Sequence, residues 1–200
     1  MDRREFFTKG AGKVAQTVTK HAAEKARKNA SRWIRPPFAI EELDFLIGCT
    51  RCGDCINACP YEIIFPLSSK LGVKVFNTPA MDLNNQGCHL CEGWPCVQAC
   101  EKDVLTLTEL INPQAQETLE TNKPAAKPLP KISRVSINTE TCLPYSGPEC
   151  GACNICPVEG AMIWEMNKPV IVEAICTGCA LCREACIVEP KAIDIQSKYS

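Results

Sequence analysis

Aromatic side chains are scarce, with Phe, Trp and Tyr making up 6 % of the 200 residues. A large aromatic core is therefore excluded, and something besides apolar burial must hold the chain together. No apolar run approaches the ~18 residues that a bilayer-crossing helix needs, so no spanning segment is expected. No pair of carboxylates stands out as acid–base machinery, and acidic neighbours such as Glu41 and Glu42 read as ordinary solvated surface. What the chain has in quantity is cysteine, 16 residues, at the edge of the range that marks a cysteine-defined scaffold. Without a secretory signal these cysteines are not a disulfide framework, and metal ligation is the reading left. Hydrophobic residues at 46 % and charged residues at 22 % exclude a disordered chain.

The net charge of −1 conceals two opposed regions. Residues 1–35 hold ten Lys and Arg against Asp2, Glu5 and Glu24, whereas the remainder holds twelve against twenty acids. Cysteines held as metal-bound thiolates would make the body more negative still. A basic arm on an acidic body suits docking to a partner or an anionic membrane surface. Nucleic-acid binding is not expected, because the folded body lacks a basic face. The opening Arg3-Arg4, followed by Phe6, Phe7 and Lys9, is similar to a twin-arginine export motif. Lys13, Lys20, Glu24 and Lys25 interrupt what would have to be its apolar stretch. Val14, Val18, Ala22, Ala26, Ala30 and Trp33 instead fall at helical spacing, which predicts a basic helix with a weak apolar stripe. That helix either packs on its own body or docks elsewhere.

The cysteines form four groups: Cys49, Cys52, Cys55 and Cys59 before Pro60; Cys88, Cys91, Cys96 and Cys100; Cys142, Cys150, Cys153 and Cys156 before Pro157; and Cys176, Cys179, Cys182 and Cys186. The first and fourth carry the bacterial ferredoxin spacing, and the second and third are expanded variants. Thiolates three positions apart on a turning loop reach three corners of a cubane, and the fourth cysteine, placed at the start of a following helix, serves the neighbouring cluster. The spacing thus predicts four [4Fe–4S] clusters with all sixteen cysteines as ligands. In the sequential crossed scheme, Cys49, Cys52 and Cys55 join Cys100, and Cys88, Cys91 and Cys96 join Cys59. Likewise Cys142, Cys150 and Cys153 join Cys186, and Cys176, Cys179 and Cys182 join Cys156. A nested scheme, pairing group one with four and two with three, uses the same ligands. Zinc ribbons also employ paired Cys-x2-Cys units, but need neither the third cysteine nor the proline after the fourth. His89 reads as a hydrogen-bonding neighbour of a cluster, His21 as exposed, and Trp33, Trp94 and Trp164 as packing around clusters.

Between the groups, short apolar segments predict two-stranded hairpins. Glu62–Phe65 would pair with Val73–Phe76, Val104–Leu107 with Val135–Ile137, and Ala161–Trp164 with Val170–Val172, while Ala192–Ile195 closes the chain. The fold class is α+β, with tandem bacterial 2[4Fe–4S] ferredoxin-like modules behind an N-terminal helix. The expected divisions are a basic arm at 1–35, a first module at 36–111, a proline-rich linker at 112–131 and a second module at 132–200.

The stretch Trp33-Ile-Arg-Pro-Pro37, then Phe45-Leu46 leading into Cys49-Thr-Arg-Cys-Gly-Asp-Cys-Ile-Asn-Ala-Cys59, resembles the NapF ferredoxin-type proteins of periplasmic nitrate reductase systems. So do Cys142 with Tyr145, Glu149-Cys150, and the closing run from Cys176 to Cys186. The related MauM/NapG type shares the Arg-Pro-Pro element, and its second cysteine group is similar to Cys88 through Cys100. The resemblance covers roughly residues 32–195. A NapF-like protein implies a cytoplasmic, non-catalytic iron–sulfur protein that assists or passes electrons to a molybdenum reductase. A MauM/NapG-like protein implies an exported carrier between a quinol-oxidising membrane protein and a periplasmic acceptor. The charged residues after Arg3-Arg4 favour the cytoplasm, with peripheral membrane contact through residues 1–35 as an option and the periplasm as the alternative. An electron-transfer subunit without a substrate pocket is expected, and an adaptor that holds an apo-reductase is its rival.

Overall fold

A computed structural model describes residues 3–107 and 129–200. Most of the proline-rich segment expected as a linker lies outside the described residues. Helix α1 spans Arg3–Ala30. Its alanines and lysines are strong helix formers, and Arg27 and Lys28 sit in the last turn where the dipole favours positive charge. The Ser31 hydroxyl donates to the Lys28 carbonyl at 2.9 Å and caps that end. Of the apolar stripe read from the sequence, Ala26 and Ala30 are buried, whereas Val18 is 62 % exposed. Among the residues of α1 whose burial is described, those resting on the body lie in its final turns.

The chain then turns through Pro36-Pro37 into α2 (Glu42–Gly48). A one-turn α3 (Asp54–Asn57) is followed by strand β1 (Ile64–Pro66), which pairs antiparallel with β2 (Pro79–Met81). The expected partner, Val73–Phe76, is a turn instead. Pro66 ends β1, Ser68 caps a 3-10 turn at Ser69–Leu71, and Gly72 with φ of 115° redirects the chain before it returns as β2. One-turn α4 (Pro95–Gln98) closes the first half.

In the second half, β3 (Ser133–Ile137) pairs antiparallel with β6 (Ile193–Ser197), not with Val104–Leu107. That latter segment meets the Phe38–Ile40 stretch, where Ala39 and Leu105 form an isolated bridge. Between β3 and β6 lie α5 (Leu143–Ser146), β4 (Met162–Glu165), β5 (Lys168–Ile171) and α6 (Leu181–Glu184). The β4–β5 hairpin is the one expected, with Ile163 opposite Val170.

The main core does not respect a division into halves. Phe38, Phe45, Ile64, Leu83, Trp94 and Leu105 pack in one cluster with Ile132, Cys179, Ala180 and Leu181 from the second half. Trp94 meets Phe38 edge to face at 4.9 Å. Trp33 belongs to a smaller cluster with Ala30, Leu67, Val75 and Ala80 at the root of the arm. Trp164 lies beside Cys153 and Cys182 in a third cluster and donates its indole N–H to Asn154 Oδ1 at 3.1 Å.

Glu42 corrects the sequence expectation. It is fully buried and accepts two hydrogen bonds from the Arg35 guanidinium, at 3.0 and 2.6 Å, and one from the Trp33 indole at 3.2 Å. The remaining Arg35 terminal nitrogen, Nη1, reaches the Thr78 hydroxyl at 2.9 Å and the Pro79 carbonyl at 2.7 Å. Phe45 lies beneath the guanidinium at 4.6 Å. The Arg-Pro-Pro element is thus a buried charge with every direction satisfied, and its partner had to leave the surface with it. Glu41, by contrast, is exposed and pairs with Arg27. Glu42→Gln would leave the guanidinium uncompensated in the interior and should cost about 3–5 kcal/mol. Denaturant unfolding of the iron-loaded protein measures this, with Glu41→Gln as a control that should barely shift the midpoint.

Candidate metal centre

The cysteine groups sit on loops whose backbone is bent in a repeated way. The residue before the second cysteine has positive φ in three groups: Arg51 at 61°, Leu90 at 49° and Gly178 at 78°. Gly53 and Ala180, just after the second cysteine, follow at 87° and 66°. Alternation of right- and left-handed residues turns successive N–H groups inward and makes an anion-binding nest. The consequence appears at the thiols. The N–H groups of Arg51, Leu90, Gly178 and Leu181 donate to Cys49, Cys88, Cys176 and Cys179 respectively, easing their ionisation. Gly178 is additionally forced by its neighbour, because a Cβ there would lie 2.1 Å from the Ser133 carbonyl oxygen of β3.

The fourth cysteine of each run was expected at the start of a helix. It instead follows a one-turn helix that carries the third: Cys55 on α3 precedes Cys59, Cys96 on α4 precedes Cys100, and Cys182 on α6 precedes Cys186. Pro60 and Pro157 lie in turns and bends beyond. Group three has one residue fewer between its last cysteines, so Cys153–Cys156 forms a turn and no helix. Its first ligand candidate, Cys142, leads directly into α5, where Tyr145 anchors to the Pro169 carbonyl of β5 at 3.0 Å.

None of the sixteen cysteines is in a disulfide. They assemble into four quartets, each drawing thiols from two runs. Cys49, Cys52, Cys55 and Cys100 line one hollow of about 60 Å³ together with Phe45 and Val104. Cys142, Cys150, Cys153 and Cys186 line a second, and Cys156, Cys176, Cys179 and Cys182 a third. Cys59, Cys88 and Cys91 crowd Cys96 within or beside the main core and complete the fourth set. This is the sequential crossed grouping, and it sets aside the nested one.

Burial, followed by the charges of fellow thiols, pushes Cys55 up to about 12 and Cys96 and Cys182 to the same value. Cys88 also rises to about 12, through burial opposed in part by its backbone donor, and Cys153 to about 11. Four such thiols around one hollow become thiolates only when cationic metal supplies the opposite charge. The donor set therefore fits a thiolate-bound metal. It fits a cofactor of several metal atoms better than a lone zinc, because the thiols are arrayed around a hollow and do not converge on a point. Two lysines offset the remaining negative charge. Lys131 donates to the carbonyls of Glu173 and Cys176 at 3.0 and 2.9 Å, and Lys191 to those of Glu184 and Cys186 at 3.1 and 2.9 Å.

Two polar groups, Thr177 and His89, lie near the thiols, and Thr177 carried no signal in the sequence. Thr177 is 4 % exposed, and its hydroxyl finds no nitrogen or oxygen partner among the described residues. It eases the ionisation of the Cys179 thiol beside it, so its hydroxyl hydrogen is directed at sulfur. His89 stacks flat on Tyr61, with ring centroids 3.6 Å apart.

Thiol quartets on nested loops, linked by two-residue-wide turns and short hairpins, define a ferredoxin-type iron–sulfur protein. Comparison with known proteins agrees. The chain is 30 % identical over 176 residues to the methylamine utilization ferredoxin-type protein MauM of Methylobacillus flagellatus, covering 83 % of this chain and 69 % of that protein. It is 31 % identical over 213 residues to the ferredoxin-type protein NapG of Haemophilus influenzae, covering 97 % and 71 %. The chain belongs to the MauM/NapG ferredoxin-type family. The NapF resemblance read from the sequence is the more distant one, at 27 % identity over 166 residues to the protein of Escherichia coli K12, covering 80 % of this chain and 84 % of that protein. No family model and no solved structure matches the chain.

The crossed grouping makes a specific prediction. Cys59→Ala should weaken metal binding at Cys88, Cys91 and Cys96 and leave Cys49, Cys52 and Cys55 protected. Alkylation of the purified, iron-loaded protein followed by mass mapping reads which thiols become reactive; modification of Cys49, Cys52 and Cys55 instead would refute the grouping.

Proposed function

We propose that this chain is a non-catalytic electron carrier with four [4Fe–4S] clusters, one in each quartet. The adjacency of the quartets is the observation that carries the reading. Cys96 senses the charge of Cys55, Cys88 that of Cys179, and Cys182 that of Cys153. The sets thus follow one another from Cys49/Cys52/Cys55/Cys100, through Cys59/Cys88/Cys91/Cys96 and Cys156/Cys176/Cys179/Cys182, to Cys142/Cys150/Cys153/Cys186. A line of neighbouring sites suits passage of single electrons, and a lone substrate site would not need it. When bound, such clusters exchange one electron each at potentials between roughly −700 and +450 mV, set by hydrogen bonds and solvent exposure. The chain's own groups do that setting. Backbone donors from the nests reach the thiolates, Lys131 and Lys191 hold loop carbonyls, and the apolar core limits water.

The partner is a redox protein. A molybdenum-dependent oxidoreductase and a quinol-oxidising membrane protein are the two candidates, and the family match favours the second. Among the described residues no helix is long and apolar enough to cross a membrane, so contact with a membrane protein would be peripheral, with the basic α1 as the docking element.

Anaerobically purified protein should contain about sixteen irons per chain and give paramagnetic iron–sulfur signals after dithionite reduction. Zinc in place of iron, or no signal, would overturn the reading. Chelation after oxidation should abolish the cooperative melting transition, because cysteines form much of the core and cluster binding is then folding free energy. Thr177→Val should lower the potential of the cluster held by Cys179 by on the order of tens of millivolts, the worth of one hydrogen bond to the reduced form. Thr177→Ser should restore it, and a redox titration followed by electron paramagnetic resonance distinguishes the two.

A further inference from the structure

Beyond the shared core, loops that carry thiols of the two halves touch directly at Cys88 and Cys179. The Cys88 N–H donates directly to the Cys179 carbonyl at 2.7 Å, so the first ligand of one quartet is hydrogen-bonded to a ligand of another from the opposite half. One residue earlier, the Gly87 N–H donates to Glu184 Oε2 of α6 at 2.7 Å. Arg183 reinforces the contact from the same helix, its Nε donating to the Asn84 carbonyl at 2.9 Å. Gly87 is buried there with ordinary backbone torsion, so conformational freedom does not explain it. Proximity does: a Cβ on Gly87 would stand 2.7 Å from the Leu181 nitrogen and 2.9 Å from its Cα. Those are backbone atoms of the loop and helix that carry Cys179 and Cys182, and they cannot yield without moving the quartet.

From this we propose that the Gly87–Cys88 contact with Cys179–Glu184 is the electron bridge between the halves, with Gly87 and Glu184 as the positioning residues that set its length. The proposal rests on the quartets being cluster sites. The remaining neighbours in the line, Cys55 with Cys96 and Cys153 with Cys182, each lie within one half, so this contact is the step at which electrons would pass from one half to the other. The hydrogen bond offers a covalent-and-hydrogen-bonded route from Cys88 to Cys179 without a solvent gap. A side chain at position 87 would push the Cys88 and Cys179 loops apart and lengthen that route, while all sixteen cysteines stay in the sequence and neither within-half contact gains bulk.

The test uses the iron-loaded full chain. Less than one electron per chain is delivered by pulse radiolysis, and the distribution among centres is followed by freeze-quench electron paramagnetic resonance. In the unaltered protein the distribution should relax quickly to that of an equilibrium titration. Gly87→Ala, with iron content and within-half spin coupling retained, should lose this rapid relaxation and hold the electron in the half that received it. Relaxation as fast as in the unaltered protein would overturn the bridge. Should Gly87→Ala fail to retain iron, Glu184→Ala, which removes the acceptor without adding bulk, decides by the same readout: slowed relaxation supports the bridge and unchanged relaxation refutes it. Absence of iron or of within-half coupling in the unaltered protein would count against the cluster reading itself, so the two failures are distinguishable.

Discussion

Confinement of thiol charge is the constraint on which this molecule depends. Sixteen cysteines are drawn into four sets in a chain of 200 residues, and several of them are buried among apolar side chains. Without compensation, burial and mutual repulsion hold those sulfurs in their protonated form. Everything around them acts to make the ionised form tolerable: nests of inward N–H groups, lysines on the loop carbonyls, and metal as the largest source of positive charge. The scarcity of aromatic side chains follows. Where inorganic matter fills the interior, large rings have less to do.

A second constraint is the buried Arg35–Glu42 pair. It lies away from the thiols in sequence, yet it governs one of the quartets. Glu42 opens α2, Phe45 of that helix lines the first hollow, and the Cys49 N–H donates to the Phe45 carbonyl at 2.9 Å. Fixing Arg35 against Thr78 and Pro79 therefore fixes β2, α2 and the first ligand candidate together. An ion pair of this kind adds little net stability over a well-packed apolar substitute, but it tolerates only one arrangement of its partners.

The sequential grouping of the thiols was one of two schemes the sequence allowed, because three-residue spacing constrains where thiols on one loop can point but not which run supplies the fourth. The β4–β5 hairpin was legible, since Ile163 and Val170 lie a few residues apart across a tight turn. Pairings over longer separations were not. Val73–Phe76 has the composition of a strand, but Gly72 and the Ser68-capped turn consume the residues that would have formed one. Val135 found Ile195 and not the Val104–Leu107 segment, because apolar alternation specifies a face and not a partner. Glu42 looked like surface because charge in sequence reports nothing about a partner seven residues upstream. The closeness of the halves at Gly87 was equally silent, since a glycine without positive φ gives no local sign of what presses against it.

The root of α1 ties together distant parts of the chain. The Ala30 carbonyl at the end of that helix receives its hydrogen bond from the Ser197 hydroxyl at 2.8 Å, on the strand that also completes β3. The seat of the helix is thus built from both flanks of the molecule, with Leu67, Val75 and Ala80 on one side and β6 on the other. A disturbance that parts β6 from β3 would reach the cationic helix as well, so the posture of that helix reports on the integrity of the far sheet.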